Sequence, residues 1–351
     1  MIVKSLNLKN FRNYKNSTFS FKPGINILLG KNGIGKTNVV EALHYLSLFK
    51  SFRGVDDTNL IKENEDYSLI NSKISKGSSN KEITVYLTKN GRQISINGKT
   101  INRLSEASKS LNVLLFEPKD VLLFKGPPKD RRDFLNYSLS KYSDSYLKAL
   151  SRYNKVLKER NEVLKQEKVD TKLLETTTEM LIKLAAPIVN YREKYLKDIN
   201  DILNKITRAL THEEANISIS YLPFVPYDLD YEKNAKNAFN KALETDLRQR
   251  TTTIGVHRED YSIALFSKDI ALFGSQGENR LVALALKLAP YFLIEDKDEK
   301  PIIVLDDVMS ELDEKHQENL IKLLKKFEQV FITATKLNIV GATHYEIKEY
   351  L

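Results

Sequence analysis

Short apolar runs and two-residue alternation dominate the beginning of the chain. They predict strands over 3–8, 17–21 and 25–29, with Pro23-Gly24 punctuating the last two. A glycine-rich stretch over 30–37 follows, and helical periodicity then runs over 37–49. Between 68 and 100, β-type runs are separated by Asn90-Gly91 and Asn97-Gly98, two turn signals that predict a small meander, and 112–116 reads as a buried strand.

The texture changes after Pro127-Pro128. Tyr146, Leu150, Tyr153, Leu157 and Leu164 fall on one face of a helix otherwise rich in charge. After a polar break over 168–171 the stripe resumes with Leu181, Leu184, Ile188, Tyr191, Tyr195, Ile199, Ile202 and Ile206. Two long amphipathic helices packed antiparallel would bury both stripes; sustained heptads are too few for a long coiled-coil rod. Pro187 should kink the second helix or mark its start. Past about 251 the α/β texture returns, with strands expected over 261–266, 270–273, 302–305 and 330–333 and helices over 276–294 and 313–327. No internal repeat is visible.

Composition narrows the classes. A chain of 351 residues with 41% hydrophobic and 29% charged residues suits one large domain plus a second lobe. No apolar run nears the roughly 18–20 residues of a spanning helix, and the start lacks a signal-peptide pattern, so a cytoplasmic protein with no membrane partner is expected. The absence of cysteine excludes disulfides and thiolate metal sites, and five scattered histidines give no zinc spacing. A net charge of +9 is a moderate pull toward polyanions, although many soluble proteins are this basic for no specific reason.

The sharpest chemistry is Gly30-Lys31-Asn32-Gly33-Ile34-Gly35-Lys36-Thr37, a G-x-x-x-x-G-K-[ST] loop between an apolar strand and a helix. Its glycines let backbone N–H groups converge on phosphates, and the helix start adds partial positive charge. Lys36 would reach the β/γ-phosphates of ATP and the Thr37 hydroxyl would bind Mg²⁺; Asn38 continues the nucleotide-binding stretch. Far away in sequence, Ile302-Ile303-Val304-Leu305 runs into Asp306-Asp307, the form of a Walker B strand. Asp306 would orient the Mg²⁺ hydration shell and Asp307 would polarise the attacking water, which makes Lys36, Asp306 and Asp307 the catalytic candidates. A third element, Ser275-Gln276-Gly277-Glu278, opens a helix. It reads either as an ordinary serine cap or as a grip on the γ-phosphate of ATP held by a second copy.

With Ser310-Glu311-Leu312-Asp313 in the place of a D-loop, the chain resembles the RecF family of bacterial ABC/SMC-like ATPases over nearly its whole length. The carrying segments are Leu8-Lys9-Asn10-Phe11-Arg12-Asn13-Tyr14, the phosphate loop, Lys50-Ser51-Phe52-Arg53 and Phe116-Glu117-Pro118-Lys119-Asp120. Gly126-Pro127, Arg131-Arg132-Asp133-Phe134-Leu135, Gly255-Val256-His257-Arg258-Glu259-Asp260, Ser275-Gln276-Gly277 and Leu305 through Asp313 complete them. The resemblance implies an α/β fold, an ABC-type P-loop ATPase head (mixed sheet with helices) with an inserted helical arm lobe. The expected boundaries are 1–125 and 252–351 for the head and 126–251 for the arm, with the strands of the loop and of Asp306 adjacent in one sheet. It further implies Arg12 beside the nucleotide and Thr335 at the switch position, where transporters carry a histidine. Glu278 departs from the family's usual Ser-Gln-Gly-Gln.

The function implied is an ATP-dependent homodimer that binds double-stranded DNA and gap junctions in recombinational repair and replication. It would hydrolyse ATP slowly with Mg²⁺ and, with RecR and RecO, help load RecA. A transporter nucleotide-binding subunit and a non-hydrolysing ATP-binding scaffold are the competing readings. Lys125, Lys129, Arg131, Arg132, Lys148 and Arg152 are the DNA candidates, weighed against a solvated helix face, while the interleaved tyrosines suit core packing better than base stacking.

Overall fold

The computed structural model describes residues 1–214 and 216–348, and by packing they divide into two units. Unit one comprises 1–120, 206–214 and 284–351; unit two comprises 121–205 and 215–283. In chain order, unit one begins with β1 (Ile2–Phe11), β2 (Tyr14–Ser20), β3 (Gly24–Leu29) and α1 (Lys36–Leu48). It continues with β4 (Tyr67–Lys76), β5 (Ser79–Thr88), β6 (Gly91–Ile96), β7 (Lys99–Thr100), the single turn α2 (Leu104–Ala107) and β8 (Val113–Phe116). Unit two then supplies α3 (Pro128–Tyr142), α4 (Asp144–Leu164), α5 (Thr171–Thr211), β9 (Ile217–Leu222) and α6 (Tyr231–Gln249). It closes with β10 (Asp260–Leu265), β11 (Lys268–Asp269), α7 (Ile270–Phe273) and α8 (Gln276–Leu293), and the division by packing falls inside α5 and α8. The chain ends in unit one with β12 (Ile302–Asp306), α9 (Glu314–Leu324), β13 (Gln329–Ala334) and β14 (Thr343–Glu346).

Unit one holds two sheets. The first is antiparallel, in the order β2-β1-β4-β5-β6-β7, and its strands alternate buried and exposed residues because only one face meets the core. Its turns use the expected dipeptides: Asn97 and Gly98 both adopt positive φ (50° and 77°), as the tight turn from β6 into β7 requires. The second sheet is parallel throughout, in the order β14-β3-β13-β12-β8. Its inner strands β12 and β13 are buried along their whole length, which is why they read as continuous apolar runs. The expected adjacency of β3 and β12 gives way to an arrangement with β13 between them, pairing Thr333 with Asp306 on one side and with Leu28 on the other. That register brings the C-terminal ends of all three strands to one edge, the place where open α/β sheets bind ligands.

Unit two contains α3, α4, α6, α7, most of α5, the start of α8 and the antiparallel sheet β11-β10-β9. Packing places 252–283 here and not with the head as expected, since β10 pairs with β9 and Asp260 is bound by Arg131 from α3. Pro187 neither starts nor ends α5, which continues on both sides of it. The strand expected over 270–273 is a helical turn, because the Asp269 side chain accepts from Ala271 N at 2.7 Å and Gly274 N donates to Ile270 O at 3.0 Å. Nothing in the hydrophobic pattern announced α3, β9, α6 or β14; α6 shows only Tyr231, Ala235 and Phe239 as a buried apolar stripe.

Two buried ionic clusters pin unit two. Arg192, 1% exposed, donates to Glu259 Oε2 at 2.6 Å, to Val256 O at 2.7 Å, to Asn136 Oδ1 at 2.9 Å and to the Tyr146 hydroxyl at 3.1 Å. Arg160 donates to Asp246 Oδ2, Thr252 Oγ1 and Thr178 Oγ1 at 2.7–2.8 Å, and Asp246 also accepts from Thr253. Every charge here is met by an opposite charge and by hydrogen bonds, the condition under which ions tolerate burial.

Candidate functional site

The phosphate loop follows β3 and enters α1 through Gly35, which caps the helix in the left-handed region (φ 112°). A side chain there would place its Cβ 2.8 Å from Asn13 Oδ1, so glycine is required for space as well as for φ. Asn13 and Tyr14 brace the loop from the turn between β1 and β2. Asn13 donates to Ile34 O and accepts from Asn38 Nδ2, both at 2.8 Å, and the Tyr14 hydroxyl donates to Gly35 O at 3.0 Å. Lys31, Asn32 and Gly33 are exposed at the loop's rim. The Lys36 ammonium curls into the loop and donates to Gly30 O (2.6 Å) and Lys31 O (2.9 Å), and its burial lowers its pKa against the opposing pull of Asp307 and Asp306.

The two distant stretches meet here. The Thr37 hydroxyl donates to Asp306 Oδ1 at 3.0 Å across a separation of 269 positions. Thr333, at the end of β13, donates to the same oxygen at 2.7 Å and accepts from Asp307 N at 2.9 Å. Asp306 is buried, and burial raises its pKa; the hydroxyls of Thr333 and Thr37 and the charge of Arg53 oppose that rise. Asp307 is exposed, adopts positive φ (53°) and accepts from Ser310 Oγ at 3.2 Å. A non-glycine residue in that region carries backbone strain, which structures keep mainly where function needs it. Asp307 thus faces solvent while Asp306 points back at Thr37, two carboxylates in different surroundings.

The oxygen set fits Mg²⁺, a hard cation that takes one or two protein oxygens and completes its shell with phosphates and water. Among the described residues no group of three or more His, Cys, Asp or Glu could hold a metal unaided. Thr37 and Asp306 would therefore hold it jointly with a nucleotide.

Other expected residues lie differently. Arg12 is clamped by the fully buried Glu41 of α1, to which it donates at 2.7 and 2.9 Å, and its remaining nitrogen donates to Asn59 O at 2.9 Å. Its guanidinium is thus braced against α1 and the Asn59 carbonyl. Glu41 also accepts from Ser51 Oγ at 2.5 Å and lies 3.4 Å from Arg53. Thr335 lies one residue beyond the end of β13 and is exposed; the hydroxyl that touches both aspartates belongs to Thr333. Thr333, Asn13, Tyr14 and Glu41 escaped the sequence reading of the site. A lone threonine closing an otherwise apolar strand was the one signal available for Thr333.

In unit two, Ser275 opens α8 in a reciprocal cap, its N–H donating to Glu278 Oε2 at 2.7 Å and its hydroxyl accepting from Glu278 N at 3.2 Å. These bonds hold the Glu278 carboxyl below its usual pKa. Gln276 and Gly277 form the exposed first turn. The capping role is therefore real, and it leaves Ser275 at the surface.

Among the DNA candidates, Lys125, Lys129, Lys148 and Arg152 are exposed. Arg131 is partly buried and engaged within unit two: it donates to both Asp260 oxygens (2.7 and 2.8 Å) and to the carbonyls of Leu123, Phe124 and Gly126. Arg132 is partly buried and donates to Glu259 O at 2.9 Å. Tyr146 and Tyr153 are core residues. No helix among the described residues is long and apolar enough to cross a membrane.

Known proteins resemble the whole chain. The RecF/RecN/SMC N terminal domain family matches residues 2–348. The DNA replication and repair protein RecF of Geobacillus thermodenitrificans is 36% identical, over 99% of this chain and 96% of its own length. RecF of Staphylococcus epidermidis is 34% identical, over 98% and 95%. A solved structure of the recombination mediator protein RecF-ATP in the RecFOR pathway superposes with a TM-score of 0.89 at 32% identity, covering 98% of this chain and 95% of that one. The Smc head domain of Pyrococcus furiosus, at 18% identity and a TM-score of 0.57, shares the fold. The fold is the SMC/RecF ATPase head, and the chain belongs to the RecF family.

Proposed function

We propose that this protein is an ATP-dependent DNA-binding ATPase of recombinational repair and replication. It closes into a homodimer on duplex DNA beside single-stranded gaps when it holds ATP and Mg²⁺. With RecR and RecO it then helps to load RecA. The observation that carries the reading is the Thr37–Asp306 hydrogen bond, which joins the phosphate loop to the carboxylates at one sheet edge. The family relatives are named as replication and repair proteins and as a recombination mediator, which supports the setting.

The residues divide the work. Backbone N–H groups of the loop and the Lys36 ammonium neutralise phosphate charge. Thr37 and Asp306 would hold Mg²⁺, which when bound would supply positive charge to offset that of the phosphates. Asp307, exposed beside them, accepts a hydrogen bond from the attacking water and orients it. Thr333 keeps Asp306 and the Asp307 backbone in place. Ser275, Gln276 and Gly277 grip the γ-phosphate held by the other copy. With one carboxylate at the water and Thr335 where transporters carry histidine, turnover is slow and acts as a timer. Lys125, Lys129, Lys148 and Arg152 contact DNA phosphates.

Light scattering with ATP-Mg²⁺ tests the reading. The wild type should shift from monomer to dimer, and Asp307→Asn should hold the dimer for longer, because the site still closes but water is no longer activated. A wild type and variant that both remain monomeric would overturn it. Replacing the four exposed basic residues with alanine should weaken duplex binding and flatten its salt dependence without changing ATP affinity; unchanged DNA affinity would remove them from the interface.

A further inference from the structure

Two large apolar side chains protrude just ahead of the Ser275 motif. Leu272 is 76% exposed and Phe273 is 70% exposed, on the single turn α7. Single exposed apolar residues are ordinary, but two in succession on a rigid support form a patch that calls for a partner. The support is rigid here. Ile270 anchors the turn, 1% exposed, and Asp269 caps it through Ala271 N. Gly274 is fitted so closely that a Cβ would lie 2.6 Å from Ile270 O and 2.8 Å from Asn279 Nδ2. The buried Asn279 donates to Gly274 O (2.9 Å) and Ser275 O (2.8 Å), so α7 and the start of α8 are tied together.

Chain geometry identifies what covers the patch. Consecutive Cα atoms are at most about 3.8 Å apart, so Phe273 and Leu272 lie within roughly 8 and 11 Å of Ser275. A stable protein interface covers about 800 Å² on each partner, a disc of roughly 16 Å radius. A partner surface centred on Ser275 would therefore also reach Leu272 and Phe273. We infer that these two side chains form an apolar contact with a second copy of this chain when the α8 start of one copy closes on the nucleotide of the other. The inference rests on the ATP-dependent dimer proposed above and names the contact that would hold it shut. Burial of two such side chains gives the closed state an apolar anchor beside a phosphate grip that is otherwise wholly polar.

Sedimentation of the full-length Leu272→Ser/Phe273→Ser variant with ATP-Mg²⁺ tests it, with binding of a fluorescent ATP analogue to the monomer as control. The expected result is an unchanged melting temperature, analogue affinity within about twofold of wild type, and a dimer dissociation constant raised at least about tenfold. Phe273→Leu, which keeps an apolar surface, should recover most of the dimerisation. A wild type that dimerises and a double variant that dimerises equally well would overturn this inference alone and leave the patch to a different partner. A wild type that stays monomeric with ATP-Mg²⁺ would overturn the dimer and this contact together.

Discussion

Unit one's sheet edge and unit two's interior use the same residue types to opposite ends. Around Arg192 and Arg160, arginine, aspartate and glutamate are buried and close on one another. At the sheet edge, Lys36, Asp306 and Asp307 are held by hydroxyls and backbone carbonyls instead, and no salt bridge forms among them in the described structure. A closed cluster fixes a fold and has no valence left for a ligand. An open one keeps charge unneutralised at some cost in stability and is ready for phosphate and metal. The contrast separates structure from function more sharply than residue identity does.

Removing charge from each region should therefore have different consequences. The largest effect expected is at the open site: Lys36→Met should weaken ATP binding at least about a hundredfold, since a charge-assisted grip on two phosphates is lost, while the melting temperature stays near wild type. Isothermal titration with parallel thermal melts would show it, and a large drop in melting temperature would erase the distinction. At the closed cluster, Glu259→Ala should cost about 3–5 kcal/mol of stability by leaving Arg192 buried without its partner. Nucleotide affinity, measured where the variant remains folded, should not change.

A smaller effect follows from His257, whose Nε2–H donates to the Thr252 carbonyl and whose Nδ1, in the neutral ring, accepts from the Tyr153 hydroxyl; burial pushes its pKa down from its ordinary value to about 4. In the unfolded chain a histidine titrates near 6.5, so on acidification the unfolded state takes up the proton first. The stability that neutral His257 confers is complete above about pH 6.5 and falls as pH drops toward 4, by roughly 3 kcal/mol in all. His257→Gln should flatten that part of the denaturation–pH curve, and an unchanged slope would show that other groups govern it.

The same contrast explains what the sequence disclosed. The phosphate loop and the Asp306-Asp307 strand were legible because their chemistry depends on local spacing and on flanking apolar runs that the backbone must bury. Long amphipathic helices α4 and α5 were legible by their period, but α3 and α6 were not, as their apolar positions are few. Whether a charge is open or closed was invisible. That Arg131 and Arg132 are held by Asp260 and the Glu259 carbonyl, 129 and 127 positions away, no local spacing could show. The Glu41 carboxylate that braces Arg12 lies 29 positions along the chain and was equally hidden. Thr333 was missed because its partners come from β12, a neighbour in space through strand order alone. The grouping of 252–283 with unit two is hidden for a related reason, as β10 pairs with β9 while its texture resembles that of later stretches.

The most direct test of the shared site is the coupling between Thr37 and Asp306 in Mn²⁺–ATP affinity, with Mn²⁺ standing in for Mg²⁺ and read by electron paramagnetic resonance. Thr37→Ala and Asp306→Ala should each weaken the metal complex. The double variant should lose little more than the weaker single variant, because both side chains act through one ion. Fully additive losses, or an Asp306→Ala variant that binds Mn²⁺–ATP like the wild type, would show that the two ends of the chain do not build a common site.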